Sequence, residues 1–549
     1  MTATIGALLH WAAAAVLVAA AVLSLRRRDR DALVASRVGA VLAAVAVVTL
    51  GWALATGDFT MAYVAAVTDR ATSWPHRLAG LWGGMGGSLL LWSALVAAWG
   101  WRRRPVGTER AALASLAAGF LGIGAWLATP WHVLDAPALD GLGATPILRH
   151  PAMLYHPPIL YLGLTGLAVP WAATVGAGLD RRADAGWALR LRRQLLVLLA
   201  VLTVGMVAGA HWAYVELGWG GYWAWDPVEN TALLPWLAVL GALHGLVRSR
   251  SGGDGLRLAG AMTCAALALA VLGTMLTRSG AAPSVHAFGE DAAVGRALVA
   301  LTAVVVATSA LAVVRLRPVP PLDPGRPPER WLAWALQLQP WLAAFAVVVV
   351  LAGTVRPLLG DADVAVEGRY YSAILAPVAA VALVLALRFR PAHLAHVAAA
   401  GFAVGIVGSA FATSATATLA PGESLSVGSW EVVSQGARVT GEQTVSAPVV
   451  LRRDGDEVAT LEPSLVAHPE RGILLAETSL RSTPLTDVQV ALRDADDDGR
   501  ALLEVHVRPL VWFVWLGPLL LAAACLKSAV AGAVPRRSDE QLHDRSLTA

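Results

Sequence analysis

The sequence predicts an all-α polytopic membrane protein with one small extracytoplasmic β-rich domain. Three observations carry this: the composition, a series of apolar runs of helical length, and a late stretch of about ninety residues in which charge returns. Of the 549 residues, 57% are hydrophobic and 15% charged, and the mean hydropathy is +0.61. A hydrocarbon core of about 30 Å needs roughly twenty apolar residues per crossing helix. About thirteen runs meet that length, near 4–25, 33–55, 78–100, 111–129, 153–177, 194–216, 231–247, 258–277, 292–314, 332–355, 370–387, 392–414 and 509–531.

Charge sets the orientation. Arg26–Arg30, Arg102–Arg110, Arg181–Arg193, Arg248–Arg257, Arg315–Arg330, Arg388 with Arg390, and Lys527–Arg537 are the basic connections, and they fall on every second one. The excess of arginine marks these as cytoplasmic, so the N-terminus lies outside and the 532–549 tail is cytoplasmic. The pI near 9.4 and net charge of +4 come largely from these arginines, which leaves a nucleic-acid partner without support. No basic segment precedes the first apolar run, and it reads as an uncleaved span. Cys264 and Cys525 both fall inside spans, a placement for small core residues rather than disulfide exchange or zinc.

The outward connection before the seventh span is the most unusual stretch. Trp219-Gly220-Gly221-Tyr222-Trp223-Ala224-Trp225-Asp226-Pro227-Val228-Glu229-Asn230 gathers three indoles and a phenol in one loop. An interfacial aromatic belt spreads its rings over many segments, whereas concentrated rings offer a surface to a flat ligand. Asp226 at the N-cap, Pro227 at N1 and Glu229 at N3 form a capping box. Both carboxylates are therefore read as helix-capping groups before acid–base catalysts.

Other candidates flank this loop. Trp82-Gly83-Gly84-Met85-Gly86-Gly87-Ser88 opens the third span with glycines that permit close approach of helices or a ligand. His156, in Tyr155-His156-Pro157-Pro158, is pinned at the outer mouth of the fifth span. Arg278 ends the eighth span on the outward side, against the charge bias, and needs an anionic partner such as a ligand group, Asp226 or Glu229. His286 follows in the next outward loop, and His150 and His211 are further outward histidines. Within the membrane, His244 lies about four residues from the cytoplasmic end of the seventh span and His396 about four residues into the twelfth. At 1.5 Å per residue they share a depth, which is what bis-histidine ligation of haem iron requires. His393, one turn earlier, competes with His396. Residues 416–508 alternate with period two around turns at Asp454-Gly455 and Asp494–Gly499, and Val488–Leu492 with Leu502–Val507 predicts a hairpin. The acidic turn has Val505 where an EF-hand would place its twelfth-position glutamate, so it is a solvated turn.

Trp219–Asn230 resembles the tryptophan-rich WWD signature of the haem-handling proteins of cytochrome c maturation. His156-Pro157-Pro158, Arg278-Ser279-Gly280 to Phe288, the Trp82–Trp92 segment and Trp512-Phe513-Val514-Trp515-Leu516-Gly517 resemble the motifs that accompany it. Together they cover nearly the whole chain and are similar to the CcmF/CycK family, the haem lyase subunit of System I. Tyr222 stands where a tryptophan is common in that signature, and Met85-Gly86 replaces a more polar pair.

Hydropathy and charge divide the chain into 1–415 as the helical bundle with its outward loop at 217–230, 416–508 as the β-rich domain, and 509–531 as the last span. The resemblance implies a substrate haem laid on Trp219, Gly220, Gly221, Tyr222, Trp223, Trp225 and Asp226, with Arg278 on a propionate and His156 and His286 on the iron as the catalytic pair. A resident b-type haem would be held by His244 and His396. The implied reaction joins the haem vinyl groups to the two cysteines of a C-x-x-C-H segment of apocytochrome c, with electrons relayed through the b haem from quinol. Implied partners are apocytochrome c, a CcmE-like haem chaperone, thioredoxin-like and CcmH/CcmI-like presenting subunits, and the lipid of the bacterial cytoplasmic (inner) membrane. Two alternatives remain open at this point. A haem transporter would need a polar path through the spans, and a b-type quinol oxidoreductase without ligase activity would leave the aromatic loop without a purpose.

Overall fold

The structure is a computed structural model that describes residues 1–103, 105–216, 221–249, 255–281, 284, 291–317, 330–359, 366–389, 393–469 and 472–531. Helices α1 (Thr2–Leu25) and α2 (Asp29–Thr56) pack side by side, and short helices α3 (Ala62–Val67), α4 (Trp74–Leu78) and α5 (Gly80–Gly83) lead to α6 (Met85–Arg103) and α7 (Thr108–Leu127). Then come α8 (His156–Gly166), α9 (Ala168–Leu179), α10 (Ala185–Glu216), α11 (Pro227–Ser249), α12 (Gly255–Arg278) and α13 (Ala292–Arg315). The bundle is completed by α14 (Arg330–Val355), α15 (Gly368–Phe389), α16 (Leu394–Ser409) and, after the β domain, α17 (Trp512–Ala531).

Among the described residues, eleven helical segments are long and apolar enough to cross a membrane. Two of the expected thirteen spans differ. The run expected at 78–100 is a bent pair, Trp74–Gly83 and Met85–Trp101, with an 81° angle between them. Its break falls at Gly84, in extended conformation, where a β-carbon would come within 2.6 Å of the Tyr63 hydroxyl. Tyr63 donates that hydroxyl to the Gly80 carbonyl at 2.6 Å, so the glycines of this segment make room for a tyrosine. The run expected at 392–414 is only the 16-residue α16, because the chain enters a strand at Thr413. The fifth span is continuous in hydropathy but divides into α8 and α9, since Pro170 has no amide proton to give the Gly166 carbonyl.

At the end of the bundle away from the β domain, ion pairs join the connections. Arg27 meets Asp180 at 2.9 Å and Arg110 meets Asp29 at 3.3 Å, while Thr108 donates its hydroxyl to Asp180 at 2.6 Å.

Among the described residues the β domain has twelve strands: β1 (Thr413–Leu419), β2 (Ser424–Val427), β3 (Trp430–Ser434), β4 (Arg438–Gly441), β5 (Thr444–Ser446), β6 (Val449–Arg453), β7 (Asp456–Leu461), β8 (Ser464–His468), β9 (Ile473–Glu477), β10 (Ser479–Arg481), β11 (Thr486–Ala495) and β12 (Ala501–Pro509). They form three four-stranded sheets ordered β1-β12-β11-β10, β2-β3-β6-β7 and β4-β5-β8-β9. The expected hairpin is β11–β12, with Val488 opposite Val507, Val490 opposite Val505 and Leu492 opposite Leu503, and these side chains form the domain's core with Trp430, Val432 and Leu451. Asp454 and Gly455, at φ 54° and 91°, make the two-residue turn between β6 and β7, as a type I′ turn requires. In the acidic turn, Asp496 accepts from the amides of Asp498 and Arg500.

The domain is fastened to α10, whose 32 residues span about 48 Å at 1.5 Å each and so outrun a bilayer core. At its end, the Tyr214 hydroxyl donates to Asp487 at 3.2 Å, Gln489 donates to the Tyr214 carbonyl at 2.8 Å, and Thr478 donates to the Val215 carbonyl at 2.7 Å. Arg508 lies over the Tyr214 ring and donates to Gln489 at 3.2 Å. Asp487 and Gln489 are buried. Burial pushes the Asp487 carboxyl above its usual range, against hydrogen bonds from Ser482 and Tyr214 that favour the charged form. A polar network closed on itself in this way fixes the orientation of the domain on the helix.

Candidate functional site

On the β-domain side of the bundle, His156 is the first residue of α8 and is half-buried. Its Nδ1 lies 2.8 Å from the Gly205 carbonyl oxygen. A carbonyl only accepts, so Nδ1 carries the proton and Nε2 keeps the lone pair, the tautomer of a metal ligand. Gly209, one turn on in α10, lies flat beneath the ring, and a β-carbon there would overlap the imidazole. The pair Gly205 and Gly209 is thus a small-residue stripe that admits a histidine. Gly209→Ala is expected to displace the ring and cost about 1–3 kcal/mol of stability. Thermal unfolding of a double-mutant cycle with His156→Ala checks this, because the penalty should vanish once the ring is gone.

The aromatic loop is held at both flanks. Trp225 has φ 58°, a left-handed conformation that is unfavourable for a bulky side chain. It is kept there by stacking on Tyr371, with ring centroids 4.3 Å apart and planes within 4°. Buried Asn230 donates to both the Trp225 carbonyl and the Tyr371 hydroxyl at 3.2 Å. Trp223 stands perpendicular to Trp225 at 6.2 Å. On the other flank the Tyr222 hydroxyl is 2.8 Å from Ser409 Oγ and its ring meets the edge of Trp515. Burial holds the Tyr222 hydroxyl above its usual range. The loop then closes in the expected capping box: Asp226 accepts from the Val228 amide at 2.8 Å, and Glu229 reaches back to the amides of Ala224 and Asp226 at 2.8 and 3.2 Å. Ser284 also donates to Asp226, at 2.8 Å, which ties this residue to the capping end of the aromatic loop.

Arg278, the last residue of α12, is buried and donates to the Tyr161 hydroxyl at 3.3 Å. Tyr161 lies on α8, so the guanidinium sits on the same side of the bundle as His156. His150 accepts the Ala152 amide at 3.1 Å and stands 3.9 Å from Glu216. Burial, then the neighbouring His211 and His76, hold the His150 imidazole below its usual range, so at neutral pH this contact is not an ion pair. His211 is exposed and meets the edge of Trp515. Trp219, Gly220 and His286 lie outside the described residues.

The second group of histidines is at the opposite end. His244, near the end of α11, donates Nδ1–H to the Leu240 carbonyl one turn earlier at 2.9 Å, which again leaves Nε2 as the basic nitrogen. His396 is in the first turn of α16 and its ring lies 4.9 Å from that of His393. His393, at the N-cap of α16, is within electrostatic reach of His244. The imidazoles at this end are the donor type that axial ligation of haem uses: His393 is within reach of His244, and His396 adjoins His393.

Several residues escape a reading of sequence alone: Gly205 and Gly209 under His156, Tyr371 behind Trp225, Tyr161 on Arg278, and Ser284 on Asp226. Only the first pair leaves a sequence signal, two glycines four residues apart in an apolar helix.

Residues 82–282 match the family described as Cytochrome C assembly protein. The chain is 31% identical to a probable cytochrome c-type biogenesis protein NrfE of Escherichia coli over 86% of its length and 91% of the relative's. It is 28% identical to the cytochrome c-type biogenesis protein CcmF of Pseudomonas aeruginosa, over 86% and 87%. The fold is that of a solved structure titled Cytochrome c Heme Lyase CcmF, at a TM-score of 0.78 and 24% identity, covering 96% of this chain and 97% of that one. The chain belongs to the CcmF/CycK/NrfE family of cytochrome c-type biogenesis proteins.

Proposed function

We propose that the chain is a cytochrome c haem lyase of the bacterial cytoplasmic membrane, which binds substrate haem beneath the aromatic loop and joins it to apocytochrome c. The observation that carries this is His156, fixed in a metal-ligating tautomer by Gly205, seated on Gly209, and placed with Arg278 on the side of the bundle that bears the WWD loop. The arginine-rich connections lie at the opposite end, which supports an extracytoplasmic β domain and WWD loop.

In this reading His156, with His286, holds the iron. Arg278 and Tyr161 receive a propionate, and Trp219, Trp223 and the open part of Trp225 lie along the porphyrin. Each cysteine of the C-x-x-C-H segment adds across a vinyl group. The S–H and C=C π bonds break, sulfur bonds the carbon next to the ring, and the proton ends on the terminal carbon. The protein contributes orientation and exclusion of water, since the reactive carbons belong to the substrate. At the inner end, His244 with His396 or His393 would hold a b-type haem, which when bound supplies electron transfer from quinol to keep the outer iron ferrous. The partners follow from the chemistry: apocytochrome c, a CcmE-like chaperone that delivers haem, and CcmH/CcmI-like subunits that present the reduced cysteines.

The test is maturation of a reporter apocytochrome c in a host whose own lyase is deleted. Covalent haem, which survives denaturing electrophoresis, should depend on this chain and on both reporter cysteines. A reporter that gains no covalent haem when every other maturation protein is present would overturn the reading.

A further inference from the structure

A groove of about 390 Å³ on the β domain is lined by Trp430, Arg453, Val458, Arg481, Thr483 and Leu485, among others. Trp430, buried at the start of β3, has two guanidiniums near its ring, with Arg453 Cζ 5.3 Å and Arg481 Cζ 5.2 Å from the centroid. Arg453 comes from β6 of the sheet that holds Trp430, as its direct cross-strand neighbour, and Arg481 from β10 of the adjoining sheet. Two cations about one ring repel each other unless an anion joins them. The nearby carboxylates do not neutralise the pair. Asp454 meets only Arg453, at 3.9 Å and largely exposed. Asp487 is turned inward onto Ser482, Thr483 and Tyr214. Among the described residues Arg481 makes no ion pair.

The groove lies at the rim of the domain nearest the membrane. Leu485 accepts the Leu510 amide at 2.9 Å, Thr486 pairs with Pro509, and α17 begins at Trp512. The same rim exposes apolar side chains: Leu485 is 69% exposed and Phe411, just beyond α16, is 73% exposed, with Trp512 partly so. A basic groove bordered by exposed apolar residues at the ends of two membrane helices matches a ligand that is anionic at its head and apolar below it.

We propose that Arg453 and Arg481 clamp the phosphate of an anionic phospholipid on the β-domain side of the bilayer, seating the domain on the membrane surface. The guanidiniums bind phosphate oxygens beside the Trp430 ring, and the glycerol and acyl chains pass over Leu485 into the lipid beside α16 and α17.

The test uses the full chain purified in detergent and native mass spectrometry with phosphatidylglycerol, phosphatidylcholine or free glycerol 3-phosphate. Phosphatidylglycerol should be retained over phosphatidylcholine. The double variant Arg453→Gln/Arg481→Gln should lower its retention about 30-fold, taking about 1 kcal/mol for each arginine near the surface, while Arg453→Lys/Arg481→Lys keeps most of it. Equal retention of phosphatidylglycerol by the wild type and the glutamine variant would overturn the proposal, as would an equal preference for both lipids in the wild type. Displacement of the lipid by glycerol 3-phosphate would overturn the lipid source and leave a soluble phosphate as occupant. Should the glutamine variant fail to fold, the lipid preference of the wild type and of the lysine variant decides.

Discussion

His156→Gly is expected to lower the yield of holocytochrome c by about 10- to 100-fold, the range for losing support of a metal site, and added imidazole should restore much of it. The substitution removes a ring and leaves a space of its own shape, because Gly209 already forms the opposite wall. Free imidazole can enter that space and donate one N–H to the Gly205 carbonyl as the side chain does. Rescue therefore separates ligation from folding: a variant that merely misfolds gains nothing from imidazole. An unchanged yield in His156→Gly would remove His156 from the mechanism. The same assay with His286→Gly tests the outer partner assigned by resemblance.

The second large effect is expected at the other end. His244→Ala should strip the purified protein of b-type haem, seen as loss of its absorption bands. It should also lower stability by about 3 kcal/mol if the haem normally saturates its site by a hundredfold or more. The two candidate partners are then told apart by single substitutions. If His396→Ala loses the haem and His393→Ala keeps it, the level-pair reading stands. The reverse result would make the N-cap residue of α16 the ligand, in keeping with its reach to His244. Full retention of haem by His244→Ala would remove the inner site as drawn.

Much of the fold was legible because lipid imposes so strict a rule on composition: a helix that crosses must be apolar over its length. The rule fails where hydropathy and geometry part. Gly84 and Pro170 break runs that are continuous in hydropathy, and the span expected at 392–414 runs two residues into the Thr413–Leu419 strand. The hairpin β11–β12 was visible from alternation, and the Asp454-Gly455 turn from two residues that tolerate positive φ. At the site, the Asp226–Glu229 capping box was readable because all its atoms lie within six residues. The stacking of Tyr371 on Trp225 and the bond from Arg278 to Tyr161, 117 residues apart, were not, since nothing local in either segment records its partner.

One consequence of α10 concerns length instead of chemistry. The same rigid helix holds Gly209 under His156 and, five residues later, Tyr214 against Asp487 of the β domain. Each residue added to a helix rotates the remainder by about 100°. A single insertion between these two positions would point Tyr214 away from the domain or Gly209 away from the imidazole. The number of residues between the two contacts is therefore as constrained as their identity, and a change of length is tolerated only in the connections on either side of the helix.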